Sequence, residues 1–404
     1  MNYLKYKTAS LPYIAVLIVL LLPQRATCQS QDIGIYGTDI FSQGDVALHS
    51  GIKLSGTMHW HNSGTVYFRN GAGIDNQSDD TVFAGGGNIY FLSSLPQHIS
   101  GNPVSTASIN LHNPKGLYLN TDLAVTIQAS LEEGRVHTGN HTLRIKNASS
   151  AALSADMSQY STRYVHGRLS RLMSPGTEQI FPIGDALTIH PLAIASNGAS
   201  GYYTAEYVPA PNPTTDCHPS LFYYGYTFSS FFGDGVWHIG TDGEPRFDVD
   251  AYHFAPIGYE PLQQQYSLAY NPTEQCSDWT LAGNPNFSSQ TYSDTYTDFV
   301  RGTGLSRNGY YAILSAPKNE LNIVNLIRLD DGSETRFIIP NVWEFQDNSL
   351  RIFSRWGTNI FEAQGYDNGF DFKNTPAGTY FYVLSHTATD GKQREVKSFV
   401  EVVK

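Results

Sequence analysis

GTVYFRNGAGIDNQSDDTVFAGGGNIYFLSS, residues 64–94, contains two short segments that look alike, and each begins with a glycine. The residues after each glycine alternate in the way that a strand with one buried face requires. The pattern recurs further on, and the leading glycines follow one another at intervals of 23, 29 and 23 residues, counted over Gly64, Gly87, Gly116 and Gly139. Such intervals are typical of solenoid turns. The spacing predicts a β-solenoid-like or stacked-sheet passenger over residues 29–170; an ordinary sandwich of glycine-led strands is the alternative.

The composition of the whole chain favours an all-β protein. Aromatic residues make up 13% of the 404 residues and charged residues 15%, and 36 glycines and 20 prolines supply turns. Aromatic residues are enriched in strands, and glycine and proline are the usual turn residues. No stretch of useful length combines helical periodicity with capping residues. A chain of this length suggests two or three domains.

Residues 1–28 have the features of a signal peptide. Two lysines and no acid precede an apolar run, LPYIAVLIVLLL, at residues 11–22. At about 1.5 Å per residue, this run is too short to cross a hydrocarbon core of roughly 30 Å. We therefore expect export with cleavage after Cys28 and no transmembrane segment in the mature chain. Acylation of Cys28 is the alternative, although Arg25 stands where lipoprotein signals carry leucine.

Cleavage after Cys28 leaves two cysteines, Cys217 and Cys276. An exported protein reaches an oxidising compartment, and neither cysteine has the spacing of a redox or metal motif. The pair is a candidate disulfide. Two unpaired thiols are the alternative.

The charge argues against a nucleic-acid partner. The formal net charge is −11, and loss of the basic leader makes the chain more acidic. Between Glu206 and Asp298 there are twelve acidic residues and one base, Arg246. A duplex binder needs Lys and Arg to displace counterions, so we expect no nucleic acid among the partners.

The pattern of the chain changes near Tyr164, and later strands come at the spacing of a sandwich. We predict a β-sandwich-like domain over residues 171–317 and, after SAPKNE at residues 315–320, a last domain over 318–404. In TYFYVLSH, the alternation places Tyr380, Tyr382 and Leu384 on one face and Phe381 and Val383 on the other. Both faces are largely apolar, as in the central strand of a small sandwich.

The end of the chain carries a family likeness. The motifs are IFSRWG, IFE, YDN and PAGTYFYV, which begin at Ile352, Ile360, Tyr366 and Pro376. They resemble the gliding-motility-associated C-terminal domain, the type B sorting domain of type IX secretion cargo in Bacteroidetes. The matching motif residues include Arg355, Trp356, Gly357, Tyr366, Asp367, Asn368, Gly378, Thr379 and Tyr380. Two segments depart from the family pattern: Asp331-Gly332 is all that remains of its opening loop, and Phe370-Asp371-Phe372 replaces Trp-Asp-Gly.

The resemblance implies a route and a fold. It implies an Ig-like β-sandwich that is recognised by the type IX secretion machinery at the outer membrane. It also implies passage through the periplasm and delivery to the cell surface or the medium. The last domain is thus interpreted as a sorting signal for secretion, and the role of residues 29–317 is left open.

The sequence lacks the usual motifs of enzymes. GLSRN, residues 304–308, departs from a nucleophile elbow at its last position, and neither HExxH nor a glycine-rich phosphate loop occurs. We therefore name no catalytic residue and expect a non-enzymatic adhesive or structural surface protein. A glycoside-acting enzyme is the remoter alternative, since it needs only two placed carboxylates.

Residues 233–250 form an acidic, glycine-rich stretch that is a candidate calcium site. Oxygen-rich turns of this kind bind Ca²⁺ weakly in extracellular modules. The candidate ligands are Asp234, Asp242, Asp248 and Asp250. Because the spacing does not match an EF-hand and Asp and Gly are ordinary turn residues, solvated turns are the alternative. We expect no other cofactor.

His59 and His61, in TMHWHN, alternate on one strand and therefore share a face. Metals use such pairs, but a third ligand at a suitable spacing is missing. Surface histidines on an edge strand are the favoured interpretation.

A carbohydrate-binding module is the second alternative for the function. Its platform would be a set of exposed aromatic side chains, with a surface polysaccharide or matrix as the partner. The candidates are Trp237, Tyr252, Phe254, Tyr259 and Trp279. Aromatic residues of a sandwich more often belong to its core.

Overall fold

The structure is a computed structural model. It describes residues 33–37, 39–78, 83–158, 160–209, 219–223, 226–253, 264–273, 278–285, 298–317, 323, 325–329, 334–339, 342, 347–387 and 393–404. The protein is all-β, as predicted. Within these ranges the helical segments are 3₁₀ turns, among them Ser150–Ala152 and Phe372–Asn374. The chain divides into two compact units, whose described residues lie within Met1–His218, Phe231–Tyr259 and Ser267–Leu314 for the first and within Pro219–Ser230, Glu260–Tyr266 and Ser315–Lys404 for the second.

The N-terminal part is a β-solenoid of about seven turns, which confirms the solenoid prediction. Successive turns contribute strands to three parallel sheets, called face 1, face 2 and face 3 in chain order. Face 1 contains β1 (Ile33–Tyr36), β4 (Ile52–Gly56), β7 (Ile74–Ser78), β9 (Gln97–Gly101), β11 (Leu117–Leu119), the starts of β13 (Val136–Ile145) and β15 (Val165–Met173), and β17 (Ile183–Gly184). Face 2 contains β2 (Ile40–Ser42), β5 (Trp60–Asn62), the first parts of β10 (Val104–His112) and β12 (Leu123–Glu133), and the later parts of β13 and β15. Face 3 contains β3 (Asp45–Leu48), β6 (Thr65–Arg69), β8 (Asn88–Leu92), the later parts of β10 and β12, and β14 (Leu153–Ser154).

Apolar side chains stack in register inside the solenoid. On face 3, Val66 pairs with Ile89 and Phe68 with Phe91, and all four are buried. The rings of Phe68 and Phe91 stack with centroids 5.5 Å apart. Each such side chain stabilises the fold by about 1.5–3 kcal/mol when it is fully buried. The alternate residues of these short strands therefore form the solenoid core.

Buried amides satisfy the backbone at the corners between faces. Asn113 Nδ2 donates to Gln97 Oε1 at 2.9 Å, and Gln97 Nε2 donates to the carbonyl oxygen of Phe68 at 3.0 Å. At another corner, Asn62 Oδ1 accepts from Ser42 Oγ at 2.8 Å. A chain that bends sharply leaves backbone carbonyl and N–H groups without partners on a neighbouring strand. Buried amide side chains provide the missing hydrogen-bond partners.

Gly44, Gly64 and Gly87 stack at the corner that leads into face 3. A Cβ atom on Gly64 would lie 2.2 Å from the carbonyl oxygen of Gly44, and one on Gly87 would lie 2.5 Å from that of Gly64. The interval between Gly64 and Gly87 is thus one turn of the solenoid. Gly116 and Gly139 belong to other places, before β11 and inside β13.

Replacing Gly64 with alanine is expected to destabilise the protein by roughly 1–3 kcal/mol, because the backbone must shift to admit the methyl group. Gly44→Ala is the matched control, since a Cβ there meets nothing within 4 Å. Urea unfolding of both variants measures the difference. If the two variants are equally stable, the stack of glycines at this corner tolerates a methyl group.

Arg171 closes the core at the end of the solenoid. Val125 pairs with Ile145, and Ile145 pairs with Arg171, so a guanidinium follows two apolar residues in one column. The Arg171 side chain is 1% exposed, and burial lowers its pKa to about 10. It donates to the carbonyl oxygens of Ser149, Ser150 and Ile180 at 3.3, 3.1 and 2.5 Å. This cation is held by backbone carbonyls, which it satisfies in turn.

β15 connects the solenoid to an antiparallel sheet. Its residues pair in parallel with β13 and, from Leu169 to Met173, antiparallel with β19 (Gly201–Pro209). The sheet continues through β22 (Ser230–Thr241), β28 (Gly309–Pro317), β24 (Gln264–Asn271) and β25 (Thr280–Leu281). The boundary predicted at residue 170 lies within β15, and the domain limits stay predictions.

A second antiparallel sheet packs against this one. It consists of β16 (Glu178–Phe181), β18 (Leu192–Ser196), β23 (Phe247–His253), β27 (Asp298–Leu305) and β26 (Asn284–Pro285). Tyr203 and Tyr311 of the first sheet meet Phe247 of the second edge-on, at 5.9 and 6.1 Å between ring centroids. A separate hairpin is formed by β20 (Leu221–Tyr223) and β21 (Tyr226–Phe228).

The C-terminal part contains a five-stranded sheet. Its order is β29 (Leu326–Arg328), β33 (Gln393–Val403), β32 (Gly378–Thr387), β30 (Ser349–Ser354) and β31 (Asn359–Gln364). Tyr380, Tyr382 and Leu384 lie in the core on one face, as the alternation predicted. The opposite face differs from that of a central sandwich strand, because Phe381 is 48% exposed.

Candidate functional site

The tyrosines of the C-terminal motif belong to the domain core. Tyr366 is 2% exposed; its hydroxyl donates to the carbonyl oxygen of Phe337, and burial raises its pKa. Its backbone N–H donates to Asn348 Oδ1 at 2.7 Å. The hydroxyl of Tyr380, which is also buried, donates to the carbonyl oxygen of Pro376 at 2.7 Å. These two motif residues therefore hold the domain together.

Other motif residues fix the backbone or the sheet edge. Asn368 has φ +68, and its amide bonds both the N–H and the carbonyl of Ile339, at 2.8 and 3.3 Å. Asp367 is exposed and accepts from the N–H of Gly369 at 3.1 Å. Gly378 has φ +149, where a larger residue is strained. Thr379 Oγ1 donates to Glu401 Oε2 at 3.1 Å.

The RWG motif forms the turn between β30 and β31. Trp356 is 81% exposed, and the guanidinium carbon of Arg355 lies 5.1 Å from the centroid of its ring. Gly357 has φ +79, and its N–H donates to the carbonyl oxygen of Ser354 at 2.9 Å. A cation–π contact and a glycine-dependent turn account for this motif without any catalytic role.

Phe370-Asp371-Phe372, where the family has Trp-Asp-Gly, is part of the core and of a backbone pairing. Phe372 is fully buried and donates its N–H to the carbonyl oxygen of Thr335 at 2.9 Å. Asp371 caps the 3₁₀ turn by accepting from the N–H of Lys373 at 2.8 Å. The other departure, Asp331-Gly332, lies outside the described residues.

A column of rings runs along the outside of face 1. His98 stacks on Tyr118 with centroids 5.2 Å apart, and Tyr118 stacks on His137 at 4.3 Å. His137 meets His166 edge-on, with the two Nδ1 atoms 3.1 Å apart. The column follows from the register of the turns, since each residue occupies the same outward position.

A polar cleft with a volume of about 160 Å³ lies beyond the His98 end of this column. Tyr118 covers one side of the His98 ring, and residues of the two preceding turns form the cleft on the other side. They include His49, Asn70, Gly71, Gly73 and Asp75, and Ser100 of the same strand as His98 completes the lining. Asp75 also pairs with Lys53, at 3.5 Å, and is the one carboxylate among the lining residues. The cleft thus combines an imidazole wall with hydrogen-bonding groups.

The pair at the other end of the column predicts a pH dependence. Burial, together with the neighbouring charges of His166 and Arg135, lowers the pKa of His137 to about 4. Below the ordinary pKa of 6.5 the unfolded chain takes up a proton at this position and the folded chain does not, so stability falls between pH 6.5 and about 4. Because the ring is only half-buried, we expect a loss of roughly 1 kcal/mol, or a few degrees in Tm.

Thermal unfolding at pH 7 and pH 4.5 measures this effect. His137→Gln should remove part of the acid loss, whereas His112→Gln, at an exposed histidine, should not. An identical acid loss in wild type and His137→Gln would mean that other groups cause it.

The calcium candidates are engaged with protein groups. Asp242 accepts from the N–H of Tyr202 at 2.8 Å, and Asp248 from the N–H of Gly304 at 2.7 Å. Asp250 is buried and accepts from two nitrogens of the Arg301 guanidinium, Nε and Nη2. The side chain of Asp234 lies outside the described residues, as do Cys217 and Cys276. Within the described part of the chain, no group of three or more His, Cys, Asp or Glu is placed to hold a metal. The calcium site and the disulfide between Cys217 and Cys276 both stay predictions.

The other sequence candidates fall in different surroundings. His59 Nδ1 lies 3.0 Å from Asp39 Oδ1, and the His61 ring stacks on that of Phe41. Trp237 and Trp279, meant as a sugar platform, are buried at 3% and 4% exposure. Phe254 and Tyr259 lie outside the described residues, and Tyr252 is half-buried beside Phe299.

Sequence reasoning missed the ring column and the cleft. The ring-bearing residues follow one another at intervals of 20, 19 and 29, over His98, Tyr118, His137 and His166. These intervals match the length of a turn, so a search for aromatic and imidazole residues at the solenoid period would have found the column. The cleft has no such signal.

The comparisons with known proteins identify the C-terminal domain. Residues 321–402 match the model of the CHU_C Type IX secretion signal domain. The chain therefore carries a C-terminal sorting domain, is cargo of the type IX secretion system, and is exported to the cell surface or the medium. No curated protein and no solved structure matches the chain. None of the helices in the described ranges is long and apolar enough to cross a membrane.

Proposed function

We propose that the protein is a non-enzymatic surface protein, adhesive or structural, that reaches the outside through the periplasm by type IX secretion. The observation that carries the proposal is the secretion signal domain at residues 321–402 behind a β-solenoid. An N-terminal leader is needed for the first membrane, and residues 1–28 are its candidate. A contribution to gliding over surfaces is part of the same proposal.

The solenoid favours a structural or adhesive role because it offers long, regular outer faces. Solenoids use such extended surfaces for binding. A glycosidase needs a pair of carboxylates about 5–9.5 Å apart. The cleft on face 1 has one carboxylate, Asp75, among its lining residues.

Attachment of cells tests the adhesive role. A host with a type IX secretion system, with and without the full-length protein, is allowed to settle on glass and on polysaccharide-coated surfaces, and the attached fraction is counted after washing. The proposal expects greater attachment when the protein is displayed. If cells with and without the protein attach equally, on glass and on polysaccharide, the adhesive role is excluded and a structural one is left.

A second function, recognition of a saccharide, is favoured by the cleft. Small-molecule sites combine ring-bearing side chains with a few polar groups that fix the orientation of the ligand. In the cleft, His98 supplies a ring, and Asp75 and Asn70 supply groups that can bond sugar hydroxyls. Pull-down of the full-length protein by insoluble polysaccharides should be reduced in His98→Ala and Asp75→Ala and unchanged in His112→Ala. Pull-down that survives both cleft variants would place saccharide binding elsewhere.

A further inference from the structure

The outer face of the C-terminal sheet carries a row of phenylalanines. Phe353 pairs with Phe381, and Phe381 pairs with Phe399, so the three lie side by side across β30, β32 and β33. Phe381 is 48% exposed and Phe399 46%, and Phe353 is half-buried. The Cβ atoms of such neighbours lie about 4.5–5.5 Å apart. The three rings therefore form one continuous row across the sheet.

Further apolar side chains extend the row to both edges of the sheet. Leu326 on β29 pairs with Glu401, one row from Phe399, and is 44% exposed. Ile360 on β31 sits at the irregularity beside the pairing of Phe353 with Asn359 and is 37% exposed. The sheet thus presents large apolar side chains on all five strands. We call this set, Leu326, Phe353, Ile360, Phe381 and Phe399, the aromatic strip.

The core does not require this strip. Core side chains on the same strands, such as Ile352, Tyr380 and Val400, point to the other face and are buried. Polar residues occupy the neighbouring outer rows, including Arg351 and Lys397 on one side and Thr379 and Glu401 on the other. An apolar centre with a polar rim is the usual anatomy of a protein interface.

We propose that the aromatic strip is the surface by which the type IX secretion machinery recognises this domain, through an apolar surface of its own. The inference rests on the proposed secretion route. All five side chains lie within residues 321–402, the part that matches the secretion signal domain. The motif residues Tyr366 and Tyr380 are buried and Asn368 binds the backbone, so they shape the domain rather than face a partner. Among the described residues of the domain, the other large apolar side chain that is exposed is Trp356, in the turn between β30 and β31. The strip differs from it because its side chains lie side by side across the sheet, where a partner can bury them together.

Export of full-length variants tests the proposal. Phe381→Ser/Phe399→Ser is compared with Phe381→Leu/Phe399→Leu, which keeps the strip apolar, and with Phe41→Ser, which removes an exposed phenylalanine of the solenoid. We expect the double serine variant to lose roughly tenfold or more of its surface signal and to accumulate inside the cell, since central apolar residues dominate interfaces. The leucine and Phe41 variants should be exported like wild type.

Folding is checked on the purified variants. The Tm of the double serine variant should stay within about 4 °C of wild type; if it does not, the single variant Phe399→Ser takes its place in the export assay. Normal export of a folded serine variant would overturn the proposal. So would a wild-type dimer that becomes a monomer in the serine variant without loss of export, because the strip would then join two copies. Export of a chain that lacks residues 318–404 would instead overturn the secretion route itself.

Discussion

A chain that lacks residues 318–404 is expected to stay in the periplasm. The deletion removes the matched residues 321–402 and with them every strand of the C-terminal sheet. Surface signal, measured by protease accessibility and by antibody on intact cells, should fall to that of a host without the secretion system. The reason is that the secretion machinery recognises the folded surface of this domain, and the deletion removes that surface.

The control for this deletion is the full-length protein in the host without the secretion system, which should be retained in the same compartment. Fractionation then distinguishes retention from degradation, because a degraded chain is missing from every fraction. Undiminished display of the truncated chain would contradict the assignment of the sorting domain as the address.

Arg171→Ala is expected to cause the largest loss of stability among single substitutions in the solenoid. It removes the hydrogen bonds to the carbonyl oxygens of Ser149, Ser150 and Ile180 and opens a cavity at the end of the core. The lost hydrogen bonds of the guanidinium and the cavity together cost roughly 3–5 kcal/mol. Urea unfolding measures this difference against wild type.

Two further variants separate the causes. Arg171→Met fills most of the volume but supplies no donor, so it isolates the cost of the lost hydrogen bonds. Arg168→Ala removes an exposed arginine of the same strand, which pairs with Glu206 at 3.2 Å, and should cost at most about 1 kcal/mol. If Arg171→Ala and Arg168→Ala unfold at the same urea concentration, Arg171 does not close the core.

The sequence predicted those features that depend on local pattern. The sorting domain was found because the RWG, YDN and PAGTYFYV motifs specify turns and core positions within a few residues of one another. The solenoid was found because Gly64 and Gly87 are one turn apart and both must lack a Cβ atom. Gly116 and Gly139 fitted the count by coincidence, since they serve other bends.

Features that depend on the register between turns were out of reach. Arg171 is a basic residue in an alternating strand, and such residues normally face solvent; only its pairing with Ile145 places it in the core. The cleft beside His98 exists because residues of successive turns, such as His49 and Asn70, lie next to His98 in space. Exposure of Phe381 was missed for a related reason, because alternation identifies two faces of a strand but does not say what covers the second.

The double pairing of β15, parallel to β13 and antiparallel to β19, also bears on how such a chain can change in length during evolution. One end of the solenoid is fixed there, because an antiparallel neighbour cannot be replaced by another parallel turn. Between β4 and β13, the described strands of each turn pair only with strands of adjacent turns, so duplication or loss of one turn leaves the junction intact. Each such event would lengthen or shorten the solenoid by one strand spacing, about 4.8 Å. The secretion signal domain at residues 321–402 would stay unchanged.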